Sequence, residues 1–107
     1  MAEGSANPVD RAFRALASST RRQILRLAAR DRCAVTQFAA QLKMSEPAVS
    51  KQVRVLVDAA LLSKTREGRF CWCCLRRSAF GPARESIEKL CLPIARSPRR
   101  KAMRTIQ

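Results

Sequence analysis

The cysteines are the residues of this chain whose type and spacing suggest chemistry. The 107 residues include five cysteines, three of them within four consecutive positions, and no histidine. Without histidine there is no Ser-His or Cys-His nucleophile pair and no imidazole metal ligand. We therefore predict that the protein is not an enzyme and that any chemistry belongs to the thiols, which are Cys33, Cys71, Cys73, Cys74 and Cys91.

The segment Cys71-Trp72-Cys73-Cys74 is the densest part of this set. In a strand, alternation places Cys71 and Cys73 on one face and Cys74 on the other. Thiolates without a nitrogen ligand suit soft species such as As(III), Sb(III), Cd(II) or Hg(II). Nearby arginines would favour the thiolate form and also reaction with oxidants or persulfides. These arginines are Arg69, Arg76 and Arg77.

Plain packing is the alternative for every cysteine. Cys33 fits a small buried residue at a helix entry, and Cys91 fits the core of a helix at a dimer interface. A bridge between Cys33 and Cys91, formed by oxidation or persulfide, is a further alternative. The short polar stretch Met1–Asn7 lacks the features of a signal peptide, so we expect a cytoplasmic, reducing setting without structural disulfides.

The charge balance points to a polyanionic partner. Lys and Arg number 22 against 8 Asp and Glu, which gives a formal charge of +14 and a pI near 11.4. The hydrophobic fraction of 47% is that of a globular protein, and no apolar run approaches the roughly 20 residues of a membrane span. Double-stranded DNA is therefore the expected partner, with no membrane association. Non-specific compaction of DNA is an alternative to sequence-specific binding.

Helical periodicity and capping signals divide the chain into elements. Asn7-Pro8 starts a first helix, and a second runs from about Thr20 to Arg30. After a break at Asp31–Cys33, a short helix over Val35–Leu42, a turn and a helix from Ser45 to about Ala60 form a helix-turn-helix pattern. The fold class is mainly α.

A change of periodicity after Ala60 predicts a β-hairpin wing. Its strands are Leu61–Thr65 and Phe70–Leu75, joined by a charged loop over residues 66–69. A last helix covers about Ala79 to Leu92, and Pro82 either falls in its first turn or marks a slightly later start. The predicted domains are a flexible N-terminus (1–7), a winged helix-turn-helix DNA-binding and dimerisation domain (8–92) and a basic C-terminal tail (93–107).

In order and spacing, several segments together resemble the ArsR/SmtB family of winged helix-turn-helix repressors. The resemblance spans about residues 9–92 and implies a homodimer that joins through its first and last helices and binds an inverted-repeat operator. The segments are Phe13–Ala17, Ser19–Leu25, Phe38–Leu42, Ser45–Val53 and the turn Gly68-Arg69.

The chain departs from the family pattern at positions that matter for function. Lys43 and Ala60 stand where glycine is usual. Metal-sensing members have a Cys-x-Cys pair where this chain has Ala34 and Thr36, with Cys33 one residue earlier. The zinc-type site needs histidine. Neither familiar metal site carries over, so a constitutive repressor without a small-molecule ligand stays an alternative to a thiol-based sensor.

The helix that begins at Ser45 is expected to enter the major groove. Gln52 can contact adenine through both amide atoms, and Lys51 can reach guanine. Arg54 and the Arg21-Arg22 pair would neutralise phosphates, and wing cations would follow the DNA backbone or enter the minor groove. The predicted DNA-binding residues are Ser45, Ala48, Ser50, Lys51, Gln52, Arg54, Arg21, Arg22, Lys64, Arg66 and Arg69.

The first and last helices each carry an apolar stripe that one small domain cannot cover internally. We expect these stripes to meet in a dimer interface. Its predicted residues are Val9, Phe13, Leu16, Ile87, Leu90 and Ile94.

Overall fold

The computed structural model describes residues 7–92, which form five α-helices and a small three-stranded antiparallel sheet. The predictions for Ile94, for residues 1–6 and for the basic tail lie outside this range. A 3₁₀ turn over Arg77–Phe80 precedes the last helix. The elements are α1 (Pro8–Leu16), α2 (Ser19–Arg30), β1 (Cys33–Ala34), α3 (Val35–Leu42), α4 (Glu46–Asp58), β2 (Leu62–Glu67), β3 (Phe70–Leu75) and α5 (Gly81–Cys91).

Side-chain caps begin three of the helices. The Asn7 side chain accepts hydrogen bonds from the backbone N–H groups of Val9 and Asp10 at the start of α1. Ser18 accepts from the Arg21 N–H at α2, and Ser45 accepts from the Ala48 N–H at α4. Such caps satisfy N–H groups that a helix leaves without a partner. The predicted starts are thus confirmed to within a residue.

The turn of the helix-turn-helix depends on an uncommon backbone conformation. Lys43 has φ 56° and ψ 47°, the left-handed region. This conformation ends α3 by letting the Met44 N–H bond the Ala39 carbonyl at 3.0 Å. Ala60 ends the segment after α4 in the same way, with φ 65°. Both residues therefore adopt the conformation that glycine usually supplies.

The sheet has one strand more than the sequence predicts. Its order is β1-β3-β2, with both pairs antiparallel. The stretch expected to be a break contributes β1, which pairs Cys33 with Cys73 and Ala34 with Trp72. Strand β2 also runs on to Glu67, so the wing turn is only Gly68-Arg69, with Gly68 at φ 62°.

Apolar side chains from α2, α3, α4 and the sheet form the core. Phe38, Ile24 and Leu56 are fully buried at its centre, and Cys73 is buried with them. The small residues Ala12 and Ala15 are the buried positions of α1, and Ala83 is the buried position of α5. The outer helices therefore touch the core through small residues, which leaves larger apolar side chains near the surface.

Helix α5 begins at Gly81, two residues after the approximate start at Ala79. Residues 77–80 form the 3₁₀ turn, and Pro82 lies in the first turn of α5, in agreement with the alternative of a slightly later start. Proline suits this position because its missing N–H has no helical partner there. Among the described residues, no helix is long and apolar enough to cross a membrane.

Candidate nucleic-acid interface

The outer face of α4 is polar and exposed. Val49, Val53 and Leu56 are buried on its inner side. Ser50, Lys51 and Arg54 are exposed on the other side. This separation leaves a face of hydroxyl and cationic groups, as a helix that enters a major groove requires.

Two predicted contacts on α4 are less free than the sequence suggests. Ala48 is half-buried. The Ser45 hydroxyl already accepts the Ala48 N–H at 3.3 Å, so its oxygen serves as the helix cap. The hydroxyl proton remains available to a phosphate oxygen.

The wing presents three exposed cations beside α4. In the register of the hairpin, Lys64 is opposite Cys73 and Arg66 is opposite Cys71, which places both cations on the same sheet face as these cysteines. Together with Arg69 they line a cleft of about 300 Å³ between the start of α3, the first half of α4 and the wing. Ser50 and Glu46 lie on its α4 side. The cleft is positively charged apart from Glu46.

Arg21, a predicted phosphate contact, is half-buried, and its guanidinium makes hydrogen bonds within the protein. Its Nε donates to the Ala15 carbonyl at 2.8 Å, and its Nη2 donates to the Arg14 carbonyl at 3.1 Å. Its Nη1 donates to Oε1 of Gln52 at 2.8 Å. The guanidinium thus links the end of α1 to the flank of α4. Sequence spacing gave no sign of this link, because its partners are 31 residues apart.

Arg22 is exposed but also anchored. Its Nη1 donates to the Leu16 carbonyl at 2.7 Å, so the charge lies at the C-terminal end of α1. This position suits a cation because helix carbonyls point toward it.

The other face of the wing is braced by Arg32. Its guanidinium carbon lies 4.2 Å from the centre of the Trp72 ring, and its Nη1 lies 3.1 Å from Oε2 of Glu67. Phe70 adds a tilted ring contact with Trp72 at 5.9 Å. One arginine therefore connects the loop before β1 to both wing strands. This brace was missed in the sequence because Arg32 and Glu67 are 35 residues apart.

The cysteines do not form one cluster of thiolates. Cys33 and Cys73 are opposite each other across β1 and β3, and both are buried. Cys71 is half-buried and lines the cleft, whereas Cys74 and Cys91 are exposed. Alternation along β3 places Cys74 on the other sheet face, as predicted.

Burial determines the protonation of the two inner thiols. Burial raises the pKa of Cys73 to about 11, and the neighbouring Cys71 thiol adds to this rise while Lys64 opposes it. Burial also raises the pKa of Cys33, with a smaller contribution from Asp31. The expectation that flanking arginines favour the thiolate is therefore wrong for Cys73, because desolvation outweighs the nearby positive charge.

A soft metal or metalloid does not fit these thiols. Among residues 7–92, no group of three or more Cys, Asp or Glu side chains is arranged to hold a metal ion. Cys73 is buried, whereas Cys74 is exposed and lies on the opposite sheet face. The predicted As(III) site at Cys71, Cys73 and Cys74 has no supporting geometry.

Large apolar side chains on α5 remain uncovered. Leu90 is 85% exposed, Leu92 56% and Ile87 45%. On α1, Phe13 and Leu16 are partly buried against the core, and Val9 is half-buried. The predicted interface residues thus divide into a partly packed group on α1 and an exposed group on α5.

Comparisons with known proteins agree with this architecture. Residues 18–64 match the family of bacterial regulatory proteins named arsR. An ArsR-like transcriptional regulator from Rhodococcus sp. RHA1 superposes with a TM-score of 0.74 at 22% identity, covering 97% of this chain and 96% of that one. No curated protein sequence matches the chain.

Two more solved structures are similar. A crystal structure of an ArsR family transcriptional regulator has a TM-score of 0.70 at 25% identity and covers 84% of this chain and 92% of its own. A homodimeric winged helix-turn-helix DNA-binding domain from Mycobacterium bovis has a TM-score of 0.67 at 23% identity, covering 87% and 92%. These matches are regulators of transcription and not enzymes. The chain is therefore similar to ArsR-family winged helix-turn-helix transcriptional regulators, in sequence over residues 18–64 and in fold over most of its length.

Proposed function

We propose that this protein is a sequence-specific DNA-binding repressor that acts as a homodimer on an inverted-repeat operator. The observation that carries the proposal is the polar, exposed outer face of α4 beside a cleft that three wing cations line. Lys51 and Arg54 are exposed on α4, and Lys64, Arg66 and Arg69 line the cleft together with Ser50. A protein of this kind acts on chromosomal DNA, so we also propose a cytoplasmic location.

A dimer of two symmetry-related copies would determine the spacing and orientation of the operator half-sites. The uncovered Ile87 and Leu90 on α5 supply an apolar surface for a second copy. A twofold dimer places two α4 helices in successive major grooves, which requires half-sites about 10 base pairs apart. An inverted repeat follows from this symmetry.

Selection of binding sites from random duplexes, followed by fluorescence anisotropy, tests the proposal. We expect a palindromic motif that is bound at least about 1,000-fold more tightly than its scrambled form at physiological salt. The Arg66→Ala variant should weaken binding to both duplexes, because phosphate contacts carry no sequence information. Lys89→Ala on α5 removes the same charge away from this surface and is the matched control. Equal affinity for palindrome and scrambled DNA would instead identify a compacting protein.

A thiol-based signal is a second candidate function, and Cys71 is the residue that favours it. Cys71 is half-buried in the cationic cleft, beside Arg66 and Arg69. A group attached to its sulfur would occupy space between the wing and α4. We propose that such modification by an oxidant or a persulfide releases DNA, with Cys73 and Cys33 as packing residues.

Single cysteine variants distinguish this signal from a constitutive repressor. Operator-bound protein is treated with peroxide, a polysulfide, As(III) or Cd(II), and release is followed by anisotropy. We expect Cys71→Ser to abolish release, whereas Cys74→Ser, the exposed control on the other sheet face, should leave it intact. If the wild type stays bound under all these agents, the protein is a repressor without a thiol signal.

A further inference from the structure

The contact between Arg21 and Gln52 fixes which atoms of Gln52 are available to DNA. Arg21 Nη1 donates to Gln52 Oε1 at 2.8 Å. A guanidinium carries donors only, so the amide must turn its oxygen toward Arg21 and its nitrogen away. The reverse orientation would place two donors against each other. The orientation of this amide therefore follows from chemistry alone.

The amide nitrogen is left for another partner. No hydrogen bond joins Nε2 of Gln52 to any of residues 7–92, and within that range no buried side-chain nitrogen or oxygen lacks a partner. If Nε2 of Gln52 were buried as well as unbonded, it would be a buried nitrogen without a partner, and none exists in this range. Gln52 as a whole is half-buried, so its Nε2 lies on the part of the side chain that contacts solvent. The flank of α4 thus presents an NH₂ group, while the Arg21 bond holds the carbonyl oxygen of the same amide toward α2.

Arg21 is itself held in place from the other side. Its two remaining contacts are to the carbonyls of Ala15 and Arg14, at 2.8 and 3.1 Å, in the last turns of α1. Both carbonyls lie near the end of α1, where helix acceptors lack an intrahelical N–H. Three bonds in a rigid planar fork keep the guanidinium from following Gln52 toward DNA.

This arrangement changes what Gln52 reads. Glutamine contacts adenine by accepting from N6 and donating to N7, which needs both amide atoms. Guanine offers two acceptors, N7 and O6, and needs donors only. We propose that Arg21 is a specificity-determining positioning residue that converts Gln52 from an adenine reader into a guanine reader. The inference rests on the proposed DNA-binding function.

Replacement of the Gln52 NH₂ donor by an acceptor tests directly which base Gln52 contacts. The Gln52→Glu variant keeps an oxygen for Arg21 but replaces the NH₂ donor by an acceptor, which suits the N4 amine of cytosine. Site selection with wild type should return guanine at one position of each half-site. In the variant, the affinity for sites with guanine at that position should fall by roughly 5- to 150-fold, which is the contribution of one good base contact, and cytosine should be selected there instead.

Removal of the clamp tests the role of Arg21. In Arg21→Met the Gln52 carbonyl is released, so we expect adenine to be selected at the same position. Arg22→Met is the matched control, because Arg22 also lies on α2 and bonds a carbonyl of α1. The control should bind more weakly with an unchanged motif. Thermal melting of each variant is measured, and if Arg21→Met is unfolded, the Gln52→Glu exchange decides.

The outcomes separate the two proposals. Selection of adenine or of no base by the wild type at the position that Gln52→Glu alters would overturn the inference, as would a motif unchanged in folded Arg21→Met. Both results leave sequence-specific binding in place. A wild-type protein that enriches no motif at all would instead contradict the proposed function.

Discussion

At the scale of single residues, Lys43 holds the turn of the helix-turn-helix at a cost. A side chain in the left-handed region costs about 1–2 kcal/mol, whereas glycine adopts it freely. Lys43 has φ 56° and bonds only through its backbone. We expect Lys43→Gly to raise the free energy of unfolding by about 1 kcal/mol after the entropy of glycine in the unfolded chain is included. Urea denaturation measures this change.

A glycine elsewhere provides the control. Lys51 is an exposed interior residue of α4, so Lys51→Gly should lower the free energy of unfolding by about 1 kcal/mol. If the free energy of unfolding rises in Lys43→Gly and falls in Lys51→Gly, the gain comes from the left-handed backbone conformation of residue 43. A loss of stability in Lys43→Gly would mean that its aliphatic stem contributes more than the strain removes.

The buried thiol of Cys73 makes stability depend on alkaline pH. Its pKa is about 11 in the folded protein because of burial, whereas an exposed thiol ionises near pH 8.5. The unfolded chain therefore loses this proton first as the pH rises. The stability that Cys73 contributes is full below about pH 8.5 and declines as the pH approaches 11, by at most about 1.4 kcal/mol per pH unit.

Denaturation curves between pH 7 and 10.5 measure this slope. We expect Cys73→Ala to be less stable at pH 7, because it leaves a cavity, and to show a shallower alkaline decline. Cys33 contributes with the same sign, so part of the slope should remain. Cys74→Ala changes an exposed thiol and should keep the wild-type slope. If stability declines with pH at the same rate in the wild type, Cys73→Ala and Cys74→Ala, then the pKa of Cys73 is not raised in the folded protein.

At the scale of elements, the wing depends on Arg32. The guanidinium covers Trp72 at 4.2 Å and bonds Glu67 at 3.1 Å, but both charged partners are about half exposed. Such contacts contribute about 0.5–1 kcal/mol each at most. We expect Arg32→Ala to lower the free energy of unfolding by about 1 kcal/mol and to alter the environment of Trp72. The chain has one tryptophan, so its fluorescence reports on the wing alone.

Glu67→Ala separates the two contacts of Arg32. It removes the ion pair but leaves the contact with the Trp72 ring, so its effect should be smaller and should vanish at high salt. The Trp72 emission should stay close to that of the wild type. If Glu67→Ala shifts the Trp72 emission as much as Arg32→Ala does, the ion pair with Glu67 is what holds Arg32 against the ring.

The same elements show what a sequence reveals and what it does not. Helix starts at Asn7, Ser18 and Ser45 were predictable because a cap acts on N–H groups within three residues. Strand β1 was not, since two residues carry no periodicity and pair only with β3. The contacts of Arg21 with Gln52 and of Arg32 with Glu67 join residues 31 and 35 positions apart. No local pattern encodes them, so Gln52 looked free in the sequence.

At the scale of the whole molecule, the apolar side chains in the second half of α5 are left uncovered. Ala83 is its one buried residue, and the stripe continues one and two turns later to Ile87 and Leu90, which are 45% and 85% exposed. These positions share one helix face. Burial of a leucine side chain contributes about 1.5–3 kcal/mol. Packing of the α5 stripe of one copy against that of a second copy would therefore favour dimerisation substantially.

Leu90→Asp tests this assembly. In a dimer the new carboxylate would be buried without a partner, at a cost of several kcal/mol, whereas in a monomer it stays in water. Sedimentation should show a dimer for the wild type and a monomer for the variant, with loss of operator binding because one half-site alone holds a monomer weakly. Lys89→Asp places the same group in the same last turn of α5 and should remain dimeric. A wild type that sediments as a monomer at micromolar concentration would refute the twofold docking and with it the inverted-repeat operator.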